Sequence, residues 1–141
     1  MKLKVKKLHP DVQLPKKATK GSACFDIYSY DTHNLQPGET YLFSTGLALE
    51  VPEGWMCDVR PRSGLSYRGV SLVNSPGTLD SDYRGGLMVT LRNNSPLDHP
   101  ICKGDRIAQI RLVPVEPIEF EEVEELGKTV RGTEGLGSTG K

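Results

Sequence analysis

A chain of 141 residues, 36% of them hydrophobic, is long enough to bury one core without disulfide or metal staples and too short for two ordinary domains. Lys plus Arg and Asp plus Glu each total 18, so the net charge is zero and no overall field draws the chain onto nucleic acid or an anionic membrane. A polyanionic ligand must therefore be held by local charge.

The chain opens with four lysines among its first seven residues, broken up by Leu3, Val5 and then Leu8 in near alternation. That pattern suits an edge strand whose outward lysines discourage pairing with other chains. No apolar run follows that is long enough for a signal peptide or a membrane span, so a soluble cytoplasmic protein is expected. Residues 22–28 read as a short strand carrying one acid, Asp26, on the face shared with Cys24 and Tyr28. A carboxylate in mid-strand is costly when buried alone, so a partner is expected. Leu35-Gln-Pro-Gly38 turns into a long β-rich run, residues 40–51, that Gly46 is expected to kink or bulge. Residues 55–60 make a further strand after Pro52-Glu-Gly54. Ser63 stands where it would cap a single helical turn running through Arg68.

Asn74-Ser-Pro-Gly-Thr-Leu-Asp-Ser-Asp-Tyr-Arg-Gly-Gly86 sets two acids, a tyrosine, an arginine and three glycines between apolar runs at 71–73 and 87–91. It reads as a hairpin presenting polar chemistry at its bend, with a solvated surface turn as the plainer alternative. Asp82 and Arg84 are expected to pair within it. Residues 106–113 alternate as a strand entered through Gly104-Asp105, with Gln109 opposite Ala108 and Ile110, Asp105 as a turn cap and Arg106 in a buried salt bridge. Residues 118–126, acidic and weakly alternating, are expected to form a last strand at a sheet edge. With 15 Gly, 10 Pro and no long run of helical period, the class is all-β, a sandwich or barrel. Cys24, Cys57 and Cys102 are odd in number, far apart and without CxxC spacing, so reduced core thiols are expected. His9, His33 and His99 lack HxxxH spacing, which argues against a protein-held transition metal.

Beyond Val130 only Leu136 is apolar, so residues 127–141 are expected to be a mobile arm of a single domain covering 1–141. Gly135-Leu-Gly137-Ser-Thr-Gly140 satisfies GxGxxG, yet no helix-forming run follows it, and Ser138 and Thr139 stand where a Walker A loop needs Lys and Ser or Thr. What remains is a run of unhindered N–H groups, two hydroxyls and one Arg, a good nest for phosphate oxygens unless the tail is merely disordered.

Five segments in order, Ala23-Cys-Phe-Asp-Ile27, Pro61-Arg-Ser-Gly-Leu-Ser66, the stretch from Asn74 to Gly86, Gly104-Asp-Arg-Ile-Ala-Gln109 and the tail from Arg131 to Gly140, resemble the trimeric dUTPase family over nearly the whole chain. The resemblance implies a jelly-roll-like β-barrel or sandwich with one short helix and an extended C-terminal arm. It implies a homotrimer with active sites shared between chains, and Mg2+-dependent hydrolysis of dUTP to dUMP and pyrophosphate by attack of water on the α-phosphate. Such an activity limits uracil incorporation into DNA and supplies dUMP for dTMP synthesis.

By the same resemblance Asn74, Thr78 and Leu79 with their backbone would read the uracil edge, Gly77 would exclude a thymine methyl, and Met88 would line the pocket. Tyr83 would pack under the deoxyribose where a ribose 2′-hydroxyl would clash, and Asp80 would contact the sugar 3′-hydroxyl and orient the attacking water. Arg62, Ser63, Gly64 and Gln109 would grip the phosphates. Mg2+ would be held by the phosphates and by waters that touch Asp26 and Gln109. Arg131, Gly137, Ser138 and Thr139 would close over the γ-phosphate. Two positions depart from the family pattern: Leu136 replaces an aromatic that stacks on uracil, and Glu134 replaces a glycine. The alternatives are a dCTP deaminase-like enzyme, against which stands Thr90 where a glutamate base is needed, and a non-catalytic nucleotide-binding trimer of the same fold.

Overall fold

The computed structural model describes residues 2–136. In chain order its elements are β1 (Lys4–Lys7), β2 (Phe25–Tyr28), β3 (His33–Leu35), β4 (Thr40–Glu50), β5 (Trp55–Arg60), α1 (Ser63–Tyr67), β6 (Val70–Leu72), β7 (Gly77–Leu79), β8 (Gly86–Asn93), β9 (His99–Ile101) and β10 (Arg106–Pro114). One four-stranded sheet runs β1-β4-β8-β6 and a second runs β2-β10-β5-β7, while β3 and β9 make a separate ribbon. All the pairings are antiparallel.

Phe43, Leu49, Leu87, Val89 and Leu91 of the first sheet join Ile27, Cys57, Val59, Ala108 and Ile110 of the second in one buried cluster. The Val, Leu, Ile and Phe members each contribute about 1.5–3 kcal/mol when fully buried, so this inter-sheet layer is the main source of stability. β1 is an edge strand, as its lysines suggest, and Lys4 pairs with Glu50 across the ladder at 2.7 Å. Gly46 has φ +67 and sits where the β4–β8 register shifts, and a Cβ there would lie 2.5 Å from the Val12 side chain. The expected bulge is present, and it seats the 8–13 segment against β4 through the Leu8 N–H bond to the Gly46 carbonyl.

Three expectations need correction. α1 begins at Ser63, with Arg62 as its extended N-cap residue and no side-chain cap bond, so Ser63 lies inside the first turn. An arginine side chain has no acceptor to offer the free N–H groups, which leaves the Ser63 hydroxyl uncommitted to capping. Residues 118–126 form no strand. The ladder ends at β10, Val115 makes a last backbone bond to Gly54, and the following Ile118 and Phe120 are exposed at 71% and 95%. Of the three cysteines only Cys57 is in the core; Cys24 is half-buried and Cys102 exposed.

Candidate active site

The stretch 74–86 is more than a hairpin bend. β6 and β8 pair on either side of it, with Leu72 opposite Leu91, but between them β7 crosses to the other sheet and pairs with β5, Gly77 opposite Val59 and Leu79 opposite Cys57. The crossing opens a cavity of about 220 Å3 between the two sheets. Asn74, Gly77, Thr78, Leu79, Asp80, Tyr83 and Met88 line it, over an apolar floor of Val59, Leu72 and Leu87. All seven hairpin residues singled out from the sequence thus meet in one place, and the floor residues are additions that only the inter-sheet packing reveals.

Backbone approach is close here. A Cβ on buried Gly77 would stand 3.3 Å from Val59 and 3.4 Å from the Asn74 carbonyl oxygen, so the main chain itself forms this part of the wall. Tyr83 folds back along the turn, its hydroxyl donating to the Gly86 carbonyl at 3.1 Å. Arg84 does not pair with Asp82. Its Nη1 donates to the carbonyls of Ser81 at 2.6 Å and Tyr83 at 2.9 Å, because the tight turn points those oxygens where the guanidinium reaches them.

A second cavity, of about 410 Å3, is lined by Ser22, Cys24, Asp26, Arg62, Ser63, Gly64, Arg106 and Gln109. Buried Asp26 finds its expected partners: Arg62 Nε donates to Oδ1 at 2.9 Å and Arg106 Nη1 to Oδ2 at 3.2 Å. Two guanidiniums against one carboxylate leave a surplus positive charge in a chain whose net charge is zero. Gln109 sits opposite Asp26 in the β2–β10 register and donates through Nε2 to the Pro61 carbonyl at 2.9 Å, which turns its Oε1 into the free acceptor. Asp105 caps its turn, accepting from the Cys102 N–H at 2.8 Å, whereas Arg106 pairs with Asp26 and is half exposed. Sequence reasoning gave Arg106 a structural role only; the register that places it beside Arg62 is not visible along the chain.

The two cavities share no lining residue. Nor do the described residues of the tail line either one: Arg131 donates to the carbonyls of Glu134 at 3.0 Å and Gly135 at 3.3 Å, and Leu136 is fully exposed. Gly137, Ser138 and Thr139 lie outside the described residues. Among the described residues, no three His, Cys, Asp or Glu side chains converge to hold a metal ion. No helix among them is long and apolar enough to cross a membrane.

The family model for dUTPase matches residues 11–140. The chain belongs to the dUTPase family. It is 48% identical over 142 residues to the deoxyuridine 5′-triphosphate nucleotidohydrolase of Nautilia profundicola, spanning all of both chains. With that of a Hydrogenobaculum species it shares 49% identity over 99% of both. Among solved structures, the dUTPase of Staphylococcus bacteriophage 80alpha with dUPNHPP superposes with a TM-score of 0.87 at 28% identity, covering 99% of each chain. The dUTPase from phage phi11 of S. aureus, a D-to-N mutant solved for its coordination of a structural Mg(II) ion, superposes at 0.83 with 26% identity over 91% of this chain and 100% of that one. The two packed antiparallel sheets are therefore the jelly-roll-like β fold of the dUTPase family. The family model, the curated relatives and the solved structures named above are all of dUTPases, so the deaminase reading is not favoured.

Proposed function

We propose that this chain is a dUTP diphosphatase, hydrolysing dUTP to dUMP and pyrophosphate by attack of water on the α-phosphorus. The observation that carries the reading is the pairing of two unlike cavities: one walled by main chain with the Asp80 carboxylate as its one charged group among the described residues, and a cationic one holding Arg62 and Arg106. Uracil offers an N–H donor between two carbonyl acceptors. A wall of backbone groups matched to that pattern leaves buried groups unpaired with cytosine, which is the expensive kind of mismatch. Close approach at Gly77 leaves little room for a thymine methyl.

Asp80 receives the proton of the attacking water and orients it, while Arg62, Ser63, Gly64 and Gln109 align the triphosphate. Fixed cations around the α-phosphorus lower the barrier by stabilising charge that develops there. The donor set does not suit a protein-held metal, since both Asp26 oxygens already accept from arginine. It suits a Mg2+ that arrives on the phosphates and keeps its waters, with Gln109 Oε1 and the remaining lone pairs of Asp26 reaching those waters. Bound so, the ion would supply neutralisation of phosphate charge.

The active sites are shared in a homotrimer, the base cavity of one subunit facing the phosphate cavity of another. Supporting this, an apolar groove of about 510 Å3 lined by Val5, Leu14, Phe25, Ile110 and Leu112 lies open, while Ile118, Phe120 and Leu126 stand exposed on an acidic segment of the same chain. The arm 127–141 completes the site, Arg131, Gly137, Ser138 and Thr139 closing over the γ-phosphate and Leu136 over the base. The enzyme works in the cytoplasm, where it limits dUTP and supplies dUMP.

The test is to incubate the protein with Mg2+ and dUTP or dCTP and follow pyrophosphate and ammonia. Pyrophosphate from dUTP alone supports the proposal. Ammonia from dCTP makes the chain a deaminase, and neither product leaves a nucleotide-binding trimer.

A further inference from the structure

Gly85 lies beside the base cavity without lining it, exposed, and with a φ outside the left-handed region, so nothing in its backbone demands a glycine. What demands it is Tyr83. A methyl group on residue 85 would overlap the Tyr83 hydroxyl oxygen and stand 2.6 Å from Cζ and 3.1 Å from Cε2. The tyrosine ring occupies the space that the missing side chain leaves.

The hydroxyl is also committed, since it donates to the Gly86 carbonyl. Toward a bound nucleotide Tyr83 therefore presents the face and edge of a ring whose position is set at both ends: by its own backbone, and by the gap over Gly85 with the Gly86 carbonyl beyond it. The atoms that a methyl would meet belong to the far end of a side chain that is itself 45% exposed. When a Cβ is added, the ring yields and the backbone does not. The consequence falls on the shape of the cavity and spares the fold.

We infer that Gly85 is a positioning residue for sugar selection: by leaving room for the folded-back Tyr83 ring, it holds that ring where it fills the space a ribose 2′-hydroxyl would need. This rests on the reading of the chain as a dUTP diphosphatase and on the place under the deoxyribose that the family resemblance implies for Tyr83; the part played by Gly85 is what the structure adds. An exposed turn glycine thereby sets the discrimination between deoxyribo- and ribonucleotide without touching either. Shape is the right instrument, because rejecting an added hydroxyl requires a filled space. With Gly85 in place, the hydrogen bond to the Gly86 carbonyl and the gap over residue 85 keep the ring in that space.

The experiment compares kcat/KM for dUTP and for UTP, with Mg2+, in the wild type, Gly85→Ala, Tyr83→Ala and the double variant, together with their melting temperatures. Gly85→Ala is expected to move the melting temperature little, since the narrower unfolded ensemble offsets the loss of one exposed hydrogen bond from the displaced Tyr83. It is expected to raise the UTP-to-dUTP ratio on the order of tenfold, as a displaced ring admits the hydroxyl. In the Tyr83→Ala background, where no ring remains to displace, the same substitution should change the ratio no further, a coupling that a general loosening of the turn would not produce. An unchanged ratio in Gly85→Ala, or an equal change in both backgrounds, overturns the inference while wild-type turnover of dUTP stands. Absence of dUTP turnover in the wild type overturns the dUTP diphosphatase reading itself, and the inference with it.

Discussion

Replacing Asp26 by asparagine separates the structural from the catalytic use of the phosphate cavity. The substitution keeps the shape and removes the charge that holds Arg62 at 2.9 Å and Arg106 at 3.2 Å. Breaking one side of a fully buried ion pair costs about 3–5 kcal/mol, and a hydrogen bond to a charged group contributes about 1.5–3 kcal/mol. Here the Asp26 side chain is 11% exposed but Arg62 and Arg106 are 23% and 48% exposed. Water screens the freed guanidiniums, and the amide oxygen still accepts one bond, so a loss of about 2–3 kcal/mol is expected. For a chain of this size that lowers the urea midpoint by about 1–2 M at fixed protein concentration. Because Arg62 loses its anchor, KM for dUTP should rise as well. An unchanged midpoint would refute the ion-pair argument; if it came with a lower kcat and a higher Mg2+ requirement, Asp26 would act through metal-bound water alone.

Three further predictions follow from single residues. Burial, with the neighbouring Asp58 second, pushes the Cys57 thiol up to about 12, so a disulfide reagent near neutral pH should titrate Cys24 and Cys102 in the native protein and reach Cys57 only on unfolding; immediate reaction of all three thiols would contradict the burial. Glu39 is held below its ordinary value of 4.5 first by the Gln36 N–H and then by His33, each at 2.7 Å. A depressed carboxyl stabilises the fold above pH 4.5 and loses that contribution as the pH falls through its lower folded value, so the difference in stability between wild type and Glu39→Gln should shrink on acidification; a difference constant with pH would sink the assignment. Leu136→Phe should lower KM for dUTP severalfold, since base stacking contributes about 1–3 kcal/mol and leucine keeps only part of it. An unchanged KM would mean that residue 136 does not cover the base.

The parts of the fold marked by local punctuation were legible in advance. Gly46 announced its bulge, Pro and Gly turns bounded β4, β5 and β10, and a lone acid in a short strand required a partner for Asp26. What stayed hidden depends on distant pairing. β3 and β9 are three residues each and exist only because they meet across the fold, and β7 owes its place to β5 some twenty positions upstream. The same limit explains why Arg106 looked structural and why Arg84 was assigned to Asp82: which oxygens a guanidinium finds is a property of three-dimensional turns. Residues 118–126 alternate like a strand but pair with none of the sheet edges of their own chain, and alternation alone does not supply a partner. Resemblance supplied the roles of Asp80 and Tyr83; the cavity shows that the residues it named on the hairpin do come together.

Asp80 carries the proposed chemistry, because it is the one carboxylate among the described residues that line the cavity between β7 and β8. Pyrophosphate release from dUTP, measured in the wild type and in Asp80→Asn, tests this directly. Loss of the water-orienting carboxylate should reduce kcat by about 100- to 10,000-fold with the fold intact. Full turnover in Asp80→Asn would contradict the assignment of the reaction to this site.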